Sequence, residues 1–244
     1  MESRLSKILE YTIADFVKKF NMIEVFAIPM IFAFLIPVFV AAPSYLAIGG
    51  IFLRTGSIPD LSILDILLSV IGYAVSLFLI SASVVNINLT IKSKRTQNTI
   101  KDEVIMAMQT YALRIFVIYT IILILSFALQ VLTYESNIQK IIYPFAMFLI
   151  SLVTFYVAPA IVIDDSGIFD AIEKSMKIAF QAPLMVLAWV AIGFVALAII
   201  KVVCDLVFGS FSGYVVLLIN SLLVLPFLIL LQTHMYMEKY PLAR

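Results

Sequence analysis

Six long stretches of the sequence contain no Asp, Glu, Lys or Arg, and each is at least 20 residues long. A helix of about 20 mostly apolar residues is long enough to cross a bilayer. The polar residues that separate these stretches mark the connections between helices. The pattern therefore predicts six membrane-spanning helices, at 23–47, 66–90, 111–133, 141–163, 181–203 and 213–237.

The first predicted span contains three prolines, Pro29, Pro37 and Pro43. Proline lacks the backbone N–H that a helix requires, and its ring kinks the helix. We therefore expect this span to be bent or broken, with an irregular C-terminal end.

Three segments outside the spans, 1–20, 99–114 and 166–180, combine an apolar face with a charged one. Such helices lie in the membrane interface with the apolar face toward the acyl chains. Ser166 is the expected N-cap of the third segment. In the first, the expected apolar face consists of Leu5, Ile8, Leu9, Thr12, Ile13, Phe16 and Phe20, and the expected solvent face of Arg4, Lys7, Ala14, Asp15 and Lys18.

Each amphipathic segment precedes an odd-numbered span, so a unit of one interfacial helix and two spans occurs three times. Sequence identity between the units is slight, and we therefore state a threefold helical-hairpin repeat as a hypothesis. The predicted fold is all-α, a polytopic membrane helical bundle over 1–244, with six spans and cytoplasmic amphipathic helices.

Composition separates this chain from soluble proteins. Hydrophobic residues make up 64% of it and charged residues 13%, with a mean hydropathy of +1.14. Soluble domains carry about 25% charged residues. The net charge of +1 gives no general attraction to nucleic acid.

The basic residues predict the orientation in the membrane. Thirteen of the 16 Lys and Arg residues fall on the side that holds both termini and the loops after spans two and four. Because basic residues concentrate in cytoplasmic loops, we expect a multi-pass protein of the cell membrane with both termini in the cytoplasm. Membrane lipids are the expected partners, with a membrane-protein partner or a second copy of the chain as alternatives.

The chain has one cysteine, Cys204, and one histidine, His234. No intramolecular disulfide can form, and His-rich metal sites are excluded. Acid–base chemistry by histidine would depend on His234 alone, which lies near the end of span six. We therefore expect no catalytic residues, no metal and no cofactor, and an intramembrane enzyme is the least favoured function.

Few polar residues fall inside the predicted spans, and four of them are candidates for a cavity or an interhelical contact: Glu24, Asn86, Asn88 and Asn220. Glu24 is either an interfacial carboxylate paired with Lys18, Lys19 or Arg114, or an acid that faces a cavity. At least one asparagine of span two should bond to a neighbouring helix. Asn220 is either an interhelical contact or a substrate contact in a midplane cavity.

Other polar residues lie near the ends of spans. Four basic residues are candidates for contacts with lipid headgroups: Lys92, Lys94, Arg95 and Arg114. A basic residue near an anionic membrane surface contributes roughly 1 kcal/mol of attraction. Gln130, Gln232 and His234 are also expected at the depth of the headgroups.

The segment 158–175 reads APAIVIDDSGIFDAIEKS. It resembles a signature of a broad set of six-span membrane families, which include the membrane domain attached to some glycerophosphodiester phosphodiesterases and related uncharacterised bacterial and archaeal proteins. The resemblance implies an architecture over nearly the whole chain. The phosphodiesterase activity belongs to a separate soluble domain for which this chain has no room. The residues that carry the resemblance are Pro159, Asp164, Asp165, Gly167, Ala171 and Ser175.

The sequence favours a non-catalytic membrane protein that binds or moves a lipid-like or amphipathic molecule, or that scaffolds a membrane partner. The shortage of polar residues in the spans and the abundance of amphipathic helices motivate this hypothesis. A transporter or channel for a polar solute is the alternative, and it would depend on the four polar residues at membrane depth.

Overall fold

A computed structural model describes residues 2–40, 44–48, 51–55, 63–96, 108–133 and 139–238, and most of these residues are helical. The prediction of a helical fold is confirmed. Short π-helical turns at Met108–Ala112 and Asn220–Val224 and a 3₁₀ turn at Gly209–Phe211 interrupt the helices. The helices are α1 (Glu2–Lys18), α2 (Phe20–Val40), α3 (Ile63–Thr96), α4 (Leu113–Leu132), α5 (Gln139–Thr154), α6 (Val157–Asp164), α7 (Ile168–Gln181), α8 (Pro183–Phe208), α9 (Ser212–Ile219) and α10 (Leu225–Met237).

A short antiparallel hairpin follows α2. It consists of β1 (Ser44–Ile48) and β2 (Ile51–Thr55), and it pairs Ile48 with Ile51. The predicted end of the first span at residue 47 is therefore wrong, because α2 ends at Val40. The sequence places two glycines between the paired strands, and such dipeptides favour two-residue hairpin turns.

The apolar helices indicate a membrane-embedded protein. Within the described part of the chain, four stretches are long and apolar enough to cross a membrane: Leu67–Lys92, Thr110–Leu132, Lys140–Asp164 and Pro183–Met237. A fifth results if Leu5–Lys18 and Phe20–Ile36 count as one span, although the two helices are bent by 88°.

The longest of these stretches contains a chain reversal. α8 ends at Gly209, whose φ of 51° suits glycine because it has no Cβ to clash. Close to the turn, Ser212 hydrogen-bonds Asp205. Farther along the helices, the indole N–H of Trp189 donates to the Leu228 carbonyl at 2.7 Å. Because these contacts pair positions at increasing distance on either side of the turn, α8 and α9–α10 lie side by side and antiparallel.

The helix α1 packs against α10 mostly with the predicted face: Ile8 and Thr12 are buried, and Leu5, Leu9 and Phe16 pack against the core. Two positions differ, because Asp15 is buried and Ile13 is 52% exposed. The prediction that placed Asp15 on the solvent face is wrong, because its carboxylate lies 3.3 Å from Nε2 of His234 on α10. A hydrophobic pattern counts aspartate as exposed and contains no information about a buried partner.

The other two amphipathic segments have different outcomes. The segment 166–180 corresponds to α7, but its N-cap is Gly167 and not Ser166, whose hydroxyl accepts a hydrogen bond from Lys174 at 2.8 Å. Most of the segment 99–114 lies outside the described residues. Its last part forms the π-helical turn that leads into α4.

Candidate functional site

An apolar groove of about 760 Å³ lies between α5 and α8. No charged residue is among the described residues that line it. Concave, mostly apolar sites of this size hold whole small ligands in other proteins. The walls include Met147, Phe148 and Leu152 from α5, and Val190 and Phe194 from α8.

One side of the groove is closed by contacts among three helices. A Cβ at Gly193 on α8 would lie 3.1 Å from Cδ1 of Leu228, so the glycine allows α8 to approach α10 closely. The ring of Trp189 packs edge-on against Phe155, with 5.1 Å between the ring centroids. The groove therefore has one packed side, and the opposite side is open.

Asn220 is the first residue of the π-helical turn that precedes Pro226. Proline cannot donate a backbone hydrogen bond to the preceding turn, and π-helical turns are frequent at functional sites. Asn220 is among the residues that line the groove. Its Oδ1 is inaccessible to solvent and accepts no hydrogen bond from any described residue.

A second group of polar residues surrounds the C-terminal end of α10. The Tyr236 hydroxyl donates to Oδ2 of Asp164 at 2.6 Å, and Nζ of Lys174 lies 3.3 Å from the same oxygen. The Thr233 hydroxyl donates to Oδ1 of Asn88. These contacts tie α3, α6 and α7 to α10. We call this group the C-terminal polar cluster; its members are Asn88, Asp164, Lys174, Gln232, Thr233 and Tyr236.

Gln232 compensates for a proline in a different helix. Pro159 in α6 has no N–H, so the Phe155 carbonyl four residues earlier loses its helical donor. The Nε2 group of Gln232, which is 3% exposed, donates to that carbonyl. The chain therefore breaks between α5 and α6 without leaving this carbonyl unpaired. Gln232, which is predicted at headgroup depth, is thus buried and bonded within the protein.

Ser175 on α7 stabilises the same break from another side. Its hydroxyl donates to the Val153 carbonyl at 2.6 Å and accepts a hydrogen bond from the Tyr156 N–H at 2.8 Å. Ala171, one turn earlier on α7, is also fully buried. Small residues at these two positions allow α7 to lie close to the broken helix.

The same compensation occurs between α2 and α3. Pro37 deprives the Ala33 carbonyl of its helical donor, and the buried Ser76 hydroxyl of α3 donates to that carbonyl. Ser76 was not among the predicted polar contacts. In both cases a hydroxyl or amide of a neighbouring helix bonds the carbonyl that a proline leaves without a donor. Sequence spacing alone does not reveal such pairs, because they depend on which helices are in contact.

The structure places two of the basic headgroup candidates in contacts within the protein. Nζ of Lys92 lies 2.9 Å from the Tyr111 hydroxyl. Arg114 donates to the Ser166 carbonyl at 3.1 Å and lies 3.4 Å from Oδ1 of Asp165, which is largely exposed. The other two candidates, Lys94 and Arg95, have side chains outside the described part of the structure.

The remaining polar candidates of the spans lie in three different places. Glu24 is half-buried on α2. Two of the three bases considered as its partners have contacts elsewhere, Lys19 with the Thr90 carbonyl and Arg114 with the α6–α7 turn. Asn88 is fully buried and bonded to α10 as described. Asn86 is also buried, and its Oδ1 has no partner among the described residues. The four candidates therefore do not form one site.

Two further residues expected at the headgroups contact other helices. Gln130 of α4 donates to the Tyr143 hydroxyl of α5 at 2.9 Å. The side chain of His234 is 15% exposed and lies next to Asp15 of α1. Both residues therefore join helices within the bundle.

The chemistry open to these two regions differs. In the described part of the chain, no group of three or more His, Cys, Asp and Glu residues could hold a metal ion. The hydrogen bonds of the C-terminal polar cluster join its members to one another and to the backbone. The groove presents almost only apolar surface.

No family model matches this chain, and neither a curated protein nor a solved structure matches it. The resemblance of 158–175 to six-span families therefore stays a prediction. The structure does assign places to the motif residues. Pro159 leaves the Phe155 carbonyl without a helical donor, and Gln232 bonds that carbonyl. Asp165 has the left-handed conformation, with a φ of 53°, at the end of α6. Gly167 is the N-cap of α7.

Proposed function

We propose that this chain is a six-span membrane protein that holds a lipid-like, amphipathic molecule in the groove between α5 and α8. The proposal assigns no reaction to the chain. The molecule is bound there, or moved within the membrane, without chemical change. Bilayer lipids are the source of such a molecule.

The groove itself is the observation that carries this proposal. Its rim includes Phe148, Val190 and Phe194, whose exposed fractions are 53%, 49% and 73%. Exposed apolar surface on this scale is unfavourable in water but compatible with acyl chains. A lipid chain lying between α5 and α8 would cover it.

The contacts around α10 support a count of six spans. The stretch 183–237 counts as two crossings because the chain reverses at Gly209. The C-terminal end of α10 contacts the C-terminal ends of α3 and α6. The N-terminal end of α4 contacts the same α6–α7 turn. These contacts fit helices that cross alternately in opposite directions.

The positive-inside rule places this end of the bundle in the cytoplasm, since the segments that meet there carry most of the basic residues. We further propose that the protein resides in the cell membrane. The threefold repeat stays a hypothesis with partial support: α1 precedes α2 and α7 precedes α8 in the same way.

Trp189 provides the test, because it is the one tryptophan of the chain and it lines the groove. The protein is reconstituted in phosphatidylcholine vesicles that contain a lipid with brominated acyl chains. Bromine quenches tryptophan fluorescence at short range. Trp189 is only 5% exposed, so acyl chains outside the groove make little contact with its ring. We therefore expect strong quenching only when acyl chains enter the groove.

Two variants of α8 make the test specific. Val190→Phe fills the groove and should reduce the quenching at least twofold. Val195→Phe is the control, because Val195 is similarly exposed at 53% but is not part of the groove lining. Equal quenching in the two variants, or its absence in the unmodified protein, would contradict the proposed site.

A further inference from the structure

The helix α7 has two apolar faces, and only one of them packs against the rest of the protein. Ala171 and Ser175, four residues apart, are fully buried against the bundle. A second set of residues, spaced seven and four apart, lies on another side of the helix. It consists of Phe169, Met176 and Phe180, whose exposed fractions are 86%, 42% and 56%. We call this second set the exposed apolar face of α7.

The exposed apolar face continues onto the surface of a membrane span. Three residues after α7 reaches Phe180, the next helix begins, and its first turns carry Leu184 and Leu187, which are 55% and 53% exposed. The stretches before and after α7, Lys140–Asp164 and Pro183–Met237, are both long and apolar enough to cross a membrane. Apolar surface of this kind is unfavourable in water. Acyl chains that cover the start of α8 are therefore in place to cover α7 as well.

The polar face of α7 has no excess of positive charge. It carries two acids, Asp170 and Glu173, and two bases, Lys174 and Lys177. One of the bases is already engaged within the protein, because Nζ of Lys174 lies 3.3 Å from Oδ2 of Asp164. The acids of this face are therefore only partly balanced by its own bases.

The turn before α7 adds more acid than base. Arg114 lies 3.4 Å from Oδ1 of Asp165, and it also donates to the Ser166 carbonyl. Anionic lipid attracts basic segments by roughly 1 kcal/mol for each basic residue. A region with more acids than bases gains no such attraction. The turn and α7 together contain four acids, Asp164, Asp165, Asp170 and Glu173, and three bases act on them, Arg114, Lys174 and Lys177.

We propose that the exposed apolar face of α7 is embedded among the acyl chains of the adjacent leaflet, and that zwitterionic rather than anionic phospholipid surrounds it. The gain comes from covering Phe169, Met176 and Phe180. The headgroups next to the polar face carry a cationic end that suits Asp170 and Glu173. This surface is separate from the groove, so the inference does not depend on the function proposed for the groove.

The contact with acyl chains is tested by spin labels on single cysteines, in a Cys204→Ala background and in phosphatidylcholine vesicles. A label at Phe169→Cys should collide with oxygen, which concentrates among acyl chains, and not with a water-soluble nickel complex. Lys177→Cys is the control, because Lys177 is exposed on the polar face, and its label should show the reverse. Equal access of the nickel complex to both labels overturns the proposal. Protection of the Phe169→Cys label from both reagents also overturns it, because protein then covers this face.

The lipid class is tested with a tryptophan reporter, Phe169→Trp in a Trp189→Phe background. Brominated phosphatidylcholine should quench this reporter at least as strongly as brominated phosphatidylserine at the same mole fraction. Replacing the two exposed acids, by Asp170→Lys with Glu173→Lys, should then favour phosphatidylserine by at least about fivefold, the effect of one basic residue at an anionic surface.

The outcomes of the reporter experiment are distinct. Stronger quenching by phosphatidylserine before the charge reversal overturns the preference for zwitterionic lipid. An unchanged ratio after the reversal overturns the role of the acids. Phe180→Trp repeats the measurement on the same face in case position 169 is locally disturbed, and the spin-label experiment keeps Trp189 in place. Quenching by neither lipid at both positions overturns the contact with the leaflet.

Discussion

The two polar regions that contact the hairpin of α8–α10 differ in how their hydrogen bonds are completed. In the C-terminal polar cluster, Asp164 receives hydrogen bonds from Tyr236 and Lys174, and Asn88 from Thr233. In the groove, the amide oxygen of Asn220 has no described partner. A region that completes its own hydrogen bonds contributes to stability, whereas a buried polar group without a partner is unfavourable.

The prolines of the two regions show the same difference. The carbonyl that Pro159 leaves without a donor is bonded by Gln232 from another helix. Before Pro226, the helix instead widens into a π-helical turn, and no described group bonds the amide oxygen of Asn220. One proline is thus compensated by tertiary structure, whereas the other follows a local change in the winding of its own helix.

The largest effect on stability is expected for Gln232→Leu, which leaves the Phe155 carbonyl unpaired in a buried place. Interhelical hydrogen bonds in membrane proteins contribute about 0.6 kcal/mol on average and reach about 1.7. We expect a loss of about 1.5 kcal/mol, at the upper end of that range, because the acceptor has lost its helical donor. Reversible unfolding in mixed micelles measures it.

A double-mutant cycle with Pro159→Ala tests the cause of this loss. Alanine restores the N–H that the Phe155 carbonyl lacks, so Gln232→Leu should cost much less in that background. Gln130→Leu is the control, because its partner Tyr143 also bonds Ser126. If Gln232→Leu costs the same with proline and with alanine at 159, the compensation described here is not its cause.

A smaller loss, about 1 kcal/mol, is expected for Tyr236→Phe. The substitution removes one hydroxyl whose hydrogen bond to Asp164 is 2.6 Å long, and Asp164 keeps its contact with Lys174. Tyr214→Phe is the matched control, because Tyr214 is 59% exposed on α9. Equal unfolding free energies for both variants would show that the cluster does not contribute to stability through this bond.

The smallest effect, and the one with the opposite sign, is expected for Asn220→Leu. The leucine replaces an amide without a partner by an apolar side chain in apolar surroundings, so the free energy of unfolding should stay constant or rise by about 0.5 kcal/mol. The same unfolding measurement serves here. A loss comparable to that of Gln232→Leu would remove the contrast between the two regions.

Much of the helical architecture could be predicted because it follows from local composition. Long apolar stretches and their charged flanks are properties of consecutive residues, and they locate α3, α4 and α8 closely. The hairpin of β1 and β2 does not follow from composition, because its two apolar strands continue the run that begins in α2, and only the two glycines between them indicate a turn.

The polar contacts could be predicted only in part, since they depend on which helices meet. The sequence singled out Asn88 and Asn220 because amides are rare in spans, and the structure buries the first among helices and places the second on the groove. It gave no indication of the contact between Asp15 and His234, which are more than 200 positions apart. Nor could spacing reveal that Gln232 bonds the carbonyl left without a donor by Pro159, a proline 73 positions earlier.

The place of α10 in the chain has a consequence for biosynthesis. α10 leaves the ribosome after all the other described helices, yet it supplies the partners of the Phe155 carbonyl, the Asn88 amide and the Asp164 carboxylate. Until it inserts, the earlier helices expose these groups to lipid or to the translocation machinery. Completion of the bundle among the described helices therefore waits for the insertion of α10.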